Sequence, residues 1–467
     1  MKQKSSRHSI YKRTLMIAIP VMVQNLITNF VALIDNIMVG QIGTEQMSGV
    51  AIVNQLLFVF NITIFGAVSG AGIFSAQFFG KKDYKGARDA LRFKILAVIV
   101  MSLLGIGIFL LFGNNLVNMY LHDADKGIDI AKTFGYAKEY MAIMLVGLIP
   151  FAFENAYSSS LREDGNAVVP MVSGIVAVIT NTLLNWLLIF GVGPFPVLGV
   201  TGAAIATVIS RFVQTGIVMI WCHINSGKLE FIEGLYRTFK IPVVLAKRIF
   251  VKGLIPLMSN EFLWSASIAT LAQCYSLRGI DVVAGQNISN TVVNLFNVMF
   301  IAFGSGVSVV IGQLLGANDM QGAKKAAPKL IGCSFLLCVG VGAVMAVLSP
   351  LFPMIYNTSD DVRNLAGAFI LISALTMPIH GMLHCIYFTL RSGGKTFVTF
   401  LFDSGFAWLI SVPTAYCLAH FTGLNIIVIY FICQILELLK CMIGYGLIKS
   451  GIWLSNIVDE EEKVAVQ

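Results

Sequence analysis

Two groups of polar side chains interrupt the long apolar runs of this chain. The first is Asp35, Asn181, Asn185 and Thr207. Asn181 and Asn185 are one helical turn apart and share a face. Asp35 lies five residues before Gly40, Asn185 six before Gly191 and Thr207 eight after Gly199, glycines that mark the ends of apolar runs. At about 1.5 Å of rise per residue, Asp35, Asn185 and Thr207 fall at similar depth, with Asn181 a turn deeper. One carboxylate, two amide carbonyls and a hydroxyl make an oxygen-rich pocket suited to a small hard cation such as sodium. Protonation of Asp35 competes with that cation. The plainer alternative is that the two Asn and Thr207 only bond helices together.

The second group is Glu261, His384 and Asp403, with Glu437 and Lys440 at comparable depth. All approach from the same ends of their runs, so one polar cluster is expected. Histidine gains a proton near neutral pH, its reference pKa being about 6.5; a titratable Glu–His–Asp cluster follows. Glu437 and Lys440, three apart on one helix face, are expected to neutralise each other. Glu154 and Arg211 are expected to pair likewise. His380-x3-His384 has metal-ligand spacing, but Gly381 stands where the metalloprotease pattern needs glutamate. Apart from sodium at Asp35, Asn181, Asn185 and Thr207, no metal is expected. No Walker loop, no CxxC and no nucleophile–base pair is visible, so neither an enzyme nor a cofactor is expected.

Side chains spread from position 35 to position 440 need elements that carry them through lipid. The 467 residues are 57% hydrophobic and only 12% charged, about half the charge of a soluble domain. Twelve segments supply the apolar length a span requires, roughly 14–39, 48–78, 93–113, 134–161, 167–190, 200–223, 253–277, 284–314, 330–350, 366–390, 396–420 and 424–448. The first is too long, and lacks the cleavage site, to be a removable signal peptide. With the N-terminus inside, the inner segments hold most of the Lys and Arg, for example Lys81, Lys82, Lys85, Arg88, Arg92 and Lys94, whereas the outer loops hold Lys126, Lys132, Lys138, Arg278 and Arg363. The positive-inside rule then puts both termini in the cytoplasm. The net charge of +8 is explained by topology and calls for no nucleic acid. Compact loops without targeting extensions point to a bacterial inner (plasma) membrane.

Shifted by 236 positions, the chain matches itself: Pro20 meets Pro256, Gly49 meets Gly285, Asn54 meets Asn290, Gln77 meets Gln313, Gly80 meets Gly316 and Asp83 meets Asp319. Each half holds six spans, so both halves enter the bilayer in the same direction, a parallel repeat about an axis along the membrane normal. The expected fold is an all-α polytopic membrane protein with two six-helix lobes around a central cavity. The expected divisions are an N-lobe over 1–223, a basic cytoplasmic linker over 224–252, a C-lobe over 253–448 and a cytoplasmic tail over 449–467.

The run Asp35-Asn36-Ile37-Met38-Val39-Gly40 after Pro20 resembles the first helix of the multidrug and toxic compound extrusion (MATE) family. Gln77-Phe78-Phe79-Gly80 with Gln313-Leu314-Leu315-Gly316, and Leu161-Arg162-x2-Gly165 with Leu390-Arg391-x2-Gly394, resemble its paired motifs. The resemblance covers almost the whole chain. It implies alternating access driven by sodium or protons, and export of bulky, often cationic, organic compounds by what is expected to be a monomer. In it, Asp35 matches the first-helix acid of the ion site, with Asn181, Asn185 and Thr207 as neighbours; some members carry an acid where Asn185 stands. Glu261 matches a C-lobe acid of sodium-coupled members, which also carry an aspartate on the tenth helix; here His380 and His384 lie near that place. Glu261, His384 and Asp403 are then expected at the coupling or substrate cavity. A lipid-linked oligosaccharide flippase of the same superfamily shares the two-lobe plan, but its cavity should be rich in Arg and Lys for a pyrophosphate headgroup. The spans here hold only Arg211 and Lys440, with more acids than bases, which favours neutral or cationic cargo.

Overall fold

A chain that meets lipid must satisfy its backbone within each segment, and the helix is the only open-ended way to do so. The computed structural model describes residues 2–121, 129–356 and 358–459 and holds no strand among them. Lys126 and Lys463, part of the charge pattern, and the tail beyond 459 lie outside the described residues. The first half comprises α1 (Lys2–Gly40), α2 (Thr44–Lys81), α3 (Tyr84–Asn118), α4 (Ile130–Met144), α5 (Leu148–Asp164), α6 (Val168–Phe190) and α7 (Gly199–Ile224). A short α8 (Val243–Arg248) leads into the second half: α9 (Ile255–Ser276), α10 (Ile280–Gly316), α11 (Met320–Leu348), α12 (Asp360–Ser392), α13 (Thr396–Phe400), α14 (Val412–Phe421), α15 (Ile426–Ile435) and α16 (Glu437–Ser450). Wider π-helical turns occupy Ile249–Leu254, Leu401–Gly405 and Ala407–Ser411.

Ten of the described helices are long and apolar enough to cross a membrane, or eleven if α4 and α5, bent by 49°, form one broken span. The seventh expected span is α9, 22 residues long. It carries Ser259, Asn260, Glu261, Ser265, Ser267, Thr270 and Gln273, which lowers its apolarity below that of the ten. The paired motifs have local causes. Gly165 stops α5 in the left-handed conformation, φ 103°, with its N–H and that of Asn166 closing on the carbonyls of Arg162 and Leu161. Gly394, φ 71°, follows α12. Left-handed C-caps favour glycine because a Cβ is strained there.

The chain forms two compact units, one of Met1–Met22, Ala76–Asp83 and Arg248–Gln467, the other of Val23–Ser75 and Tyr84–Lys247. The C-terminal end of α2 therefore packs within the unit that holds the second half. Gln77 is the reason: it is fully buried, donates to the carbonyls of Ser392 (2.9 Å) and Ser455 (3.2 Å), and accepts the N–H of Ile457 at 2.8 Å. Lys81 reaches Asp459 at 2.8 Å. A Cβ on Gly80 would meet the Gln313 carbonyl oxygen, and one on Gly316 the Gln77 carbonyl oxygen, so both positions of the paired motif require glycine by close approach.

In the other unit, the segment after α7 is folded rather than a bare connection. Leu229, Phe231, Ile232 and Leu235 are buried. Arg88 donates to the Glu230 carbonyl, and Arg92 to those of Leu235 (2.9 Å) and Gly234 (2.8 Å) while pairing with Asp89. Tyr236 meets the Tyr157 hydroxyl at 2.5 Å, and burial pushes the Tyr236 phenol up.

Candidate functional site

The four residues of the first group come together within one unit. Asn185, 1% exposed, donates from Nδ2 to Asp35 Oδ1 at 2.8 Å. A carboxylate only accepts, and the Asn181 amide is best oriented with its nitrogen 2.7 Å from Asp35 Oδ2, which leaves its carbonyl 3.3 Å from Thr207 Oγ1. Two neutral amides from one face of α6 thus serve a carboxylate on α1, and Thr207 on α7 closes the row. Asn185 Oδ1 is buried without a hydrogen-bond partner. Among the described residues no cationic side chain pairs with Asp35. The Tyr140 hydroxyl, 3.3 Å from Asn54 Oδ1, stands close enough to Thr207 to interact with it. Tyr140 and Asn54 were not singled out as site residues by spacing, since an aromatic or an amide at a helix interface is commonplace.

The second group is joined by residues that spacing did not reveal. Asn260, 1% exposed and adjacent to Glu261, donates to Asp403 Oδ2 (3.1 Å) and lies 3.2 Å from the Tyr387 hydroxyl, which donates in turn to Glu261 Oε1 at 3.3 Å. Ser404 holds the Asn260 carbonyl at 2.8 Å. Glu261 and Asp403 are therefore linked through neutral groups. His384 packs against Phe300 with the rings tilted by 52° and their centroids 4.4 Å apart, and its Nδ1 lies 3.1 Å from the His380 carbonyl; His380 pairs with Gln434 at 2.9 Å. Asn260 could have been found from its place beside the acid; Tyr387, nine residues beyond Pro378 and three beyond His384, had no such signal.

Of two expected pairings, one is present with a closer competitor and one is absent. Lys440 does contact Glu437, at 3.7 Å, but its short bond is to Asp403, at 2.8 Å. Glu154 and Arg211 do not pair. Ser158 satisfies Glu154 at 2.6 Å one turn along α5, and Arg211 donates to the Gly147 carbonyl at 3.2 Å with its guanidinium 5.0 Å from the Phe151 ring centroid. The same carbonyl also accepts the Phe151 N–H at 3.3 Å, so Arg211 shares it with the first turn of α5. Lys94 and Arg92, expected in a basic loop, are buried; Lys94 is 0% exposed and bonds Glu163 (2.6 Å), Ser160 (3.0 Å) and Ser159 (3.1 Å).

The MatE family model matches residues 20–187 and 256–417, two stretches that begin at the repeat-related Pro20 and Pro256. The probable multidrug resistance protein YoeA of Bacillus subtilis (strain 168) is 24% identical over 434 residues, which cover 91% of this chain and 90% of that one. The probable multidrug resistance protein NorM of Thermotoga maritima is 24% identical over 430 residues, 90% and 88% of the two chains. Among solved structures, an aspartate-to-asparagine mutant of the Vibrio cholerae MATE transporter VcmN is similar with a TM-score of 0.85 at 16% identity, over 97% of this chain and 99% of its own. An outward-facing MATE family transporter of the MOP superfamily reaches 0.79 at 18% identity, over 95% and 96%. At such identities the structural likeness establishes the all-α polytopic fold.

Proposed function

The chain belongs to the MatE family, and from that membership we propose that it is a multidrug exporter, a secondary antiporter that moves organic, chiefly cationic, compounds out of the cell in exchange for sodium ions or protons. The observation that carries the reading is Asp35, a membrane-embedded acid met by two neutral amides and a hydroxyl and by no basic side chain among the described residues. An acid within a span is costly unless function retains it. A carboxylate with neutral oxygen neighbours takes one monovalent cation or one proton, so it can exchange either as the site faces alternate sides. When a cation binds, the Asn181 and Asn185 amides turn their carbonyls toward it; the unpartnered Asn185 Oδ1 already provides one such oxygen.

Glu261 supplies a second negative charge in the other unit, linked by Tyr387 and Asn260 to Asp403, and attracts cationic cargo or a proton. His384 adds a titratable ring nearby. The Lys and Arg distribution supports a plasma-membrane orientation with both termini cytoplasmic, and the protein acts as a monomer. The test uses the purified chain in liposomes loaded with a fluorescent cationic dye. Efflux is measured first under an inward sodium gradient at equal pH, then under a pH gradient without sodium, for the wild type and Asp35→Asn. Dye efflux in the wild type under at least one gradient, lost in Asp35→Asn, is the expected result; equal efflux by both proteins overturns the assignment of Asp35.

A further inference from the structure

The two acids that pair with Lys440 present the opposite situation from Asp35. Lys440 is 7% exposed, with Nζ 2.8 Å from Asp403 Oδ1 and 3.7 Å from Glu437 Oε2. The ammonium also lies 5.5 Å from the Phe402 ring centroid and 5.9 Å from that of Phe406, a range in which ring faces attract cations. Around this one positive charge the surroundings are fixed before any ligand arrives. Asp403 Oδ2 is held by Asn260, Asn260 by Ser404, and Asp403 itself sits in the π-helical turn Leu401–Gly405, a departure from α geometry that recurs at functional sites. The other charged or titratable groups of the cluster are His384 on α12, Glu261 on α9 through Tyr387, and the buried Arg391, whose guanidinium lies 6.0 Å from the Tyr387 ring centroid. Two carboxylates, an ordered amide shell and two aromatic rings are what a monovalent cation would need, and a lysine ammonium is a compact monovalent point charge on a flexible stem.

We propose that Lys440 is a tethered cation standing where the second half of the chain would otherwise hold a coupling ion, and that without its ammonium Asp403 and Glu437 bind a sodium ion. The idea rests on the reading that the protein exchanges cations, but not on transport being measured. It divides labour between the halves: Asp35 is left open to an external cation, whereas Asp403 is closed by an internal one. Removing one partner of a buried ion pair leaves a charge the interior cannot tolerate alone; a proton on Asp403 or a sodium ion beside it neutralises that charge, and counting bound sodium tells the two apart.

The full chain is purified and placed in lipid nanodiscs, and binding of radioactive sodium is counted against a choline background. The proteins are the wild type, Lys440→Ala, Lys440→Gln, Lys440→Ala with Asp403→Asn, and the two single Lys440 variants on an Asp35→Asn parent. Each single Lys440 variant is expected to bind one sodium ion more per chain than its parent, and Asp403→Asn is expected to cancel the gain. A variant that is monodisperse only in sodium, not in choline, also counts in favour. Folded variants that bind no more sodium than their parents overturn the proposal, as does failure of both to fold in sodium and choline alike, because a sodium-filled site would hold the fold. If Asp35→Asn alone binds as much sodium as the wild type, the Asp35 reading fails, and the increment from Lys440 is still read against its own parent.

Discussion

The side-chain amide of Asn185 donates to Asp35 Oδ1 at 2.8 Å, across 150 positions of sequence. The bond ties α6 to α1 through an acid that has no basic partner among the described residues. Asp35→Asn keeps the size of the side chain and removes its charge. Membrane insertion should be unchanged, and coupled dye efflux should fall by about ten-fold or more, within the ordinary range of coupling free energies. Efflux from liposomes at matched protein content checks it, and wild-type efflux would end the assignment.

Glu261 is met by the neutral hydroxyl of Tyr387, whereas Glu437 sits 3.7 Å from Lys440. Glu261→Gln should impair export by about ten-fold, and Glu437→Gln by no more than about two-fold, since Asp403 at 2.8 Å still pairs with the Lys440 ammonium. Exchanging Glu437 and Lys440 should abolish export, because it sets a carboxylate against Asp403, the closer partner of Lys440. Drug resistance of cells expressing each variant separates these outcomes; a fully active exchange variant would show that Asp403 does not depend on Lys440.

Lys94 and Glu163 form a buried pair at 2.6 Å with Ser159 and Ser160 around the ammonium. Lys94→Met strands the carboxylate and should destabilise the protein by about 3–5 kcal/mol. Adding Glu163→Gln should recover most of the loss. Thermal unfolding in detergent, followed by size-exclusion chromatography, compares the single and double variants.

Gln77 and Gln313 are equivalent in the repeat but not in the fold. Gln77 is fully buried and serves three backbone groups, while Gln313 accepts from Arg13 at 2.6 Å near the surface. Gln77→Ala leaves the Ile457 N–H and two carbonyls without their partner, at about 1–3 kcal/mol for each unsatisfied buried group. It should lower the unfolding temperature and speed hydrogen exchange at Ile457, whereas Gln313→Ala should do neither to a comparable degree.

Much of this protein is written in short-range pattern. Apolar runs must become helices in lipid whatever surrounds them, a duplication leaves a constant offset, and glycines such as Gly165 and Gly394 stop helices by their own backbone freedom. Even the Asp35 group was legible, because depth follows from residue count and the face of a helix from its period, and both are known without knowing the neighbours. The partners of charged groups were not legible. Lys440 bonds Asp403 more closely than Glu437, Arg211 takes the Gly147 carbonyl instead of Glu154, and Lys94 lies buried instead of in a loop. Those choices depend on how each helix is rotated about its axis and which helix faces it. Gln77 differs from Gln313 for the same reason: Gln77 meets the Ser455–Ile457 stretch, whereas Gln313 accepts from Arg13. Packing sets these contacts, and no local pattern of residues encodes it.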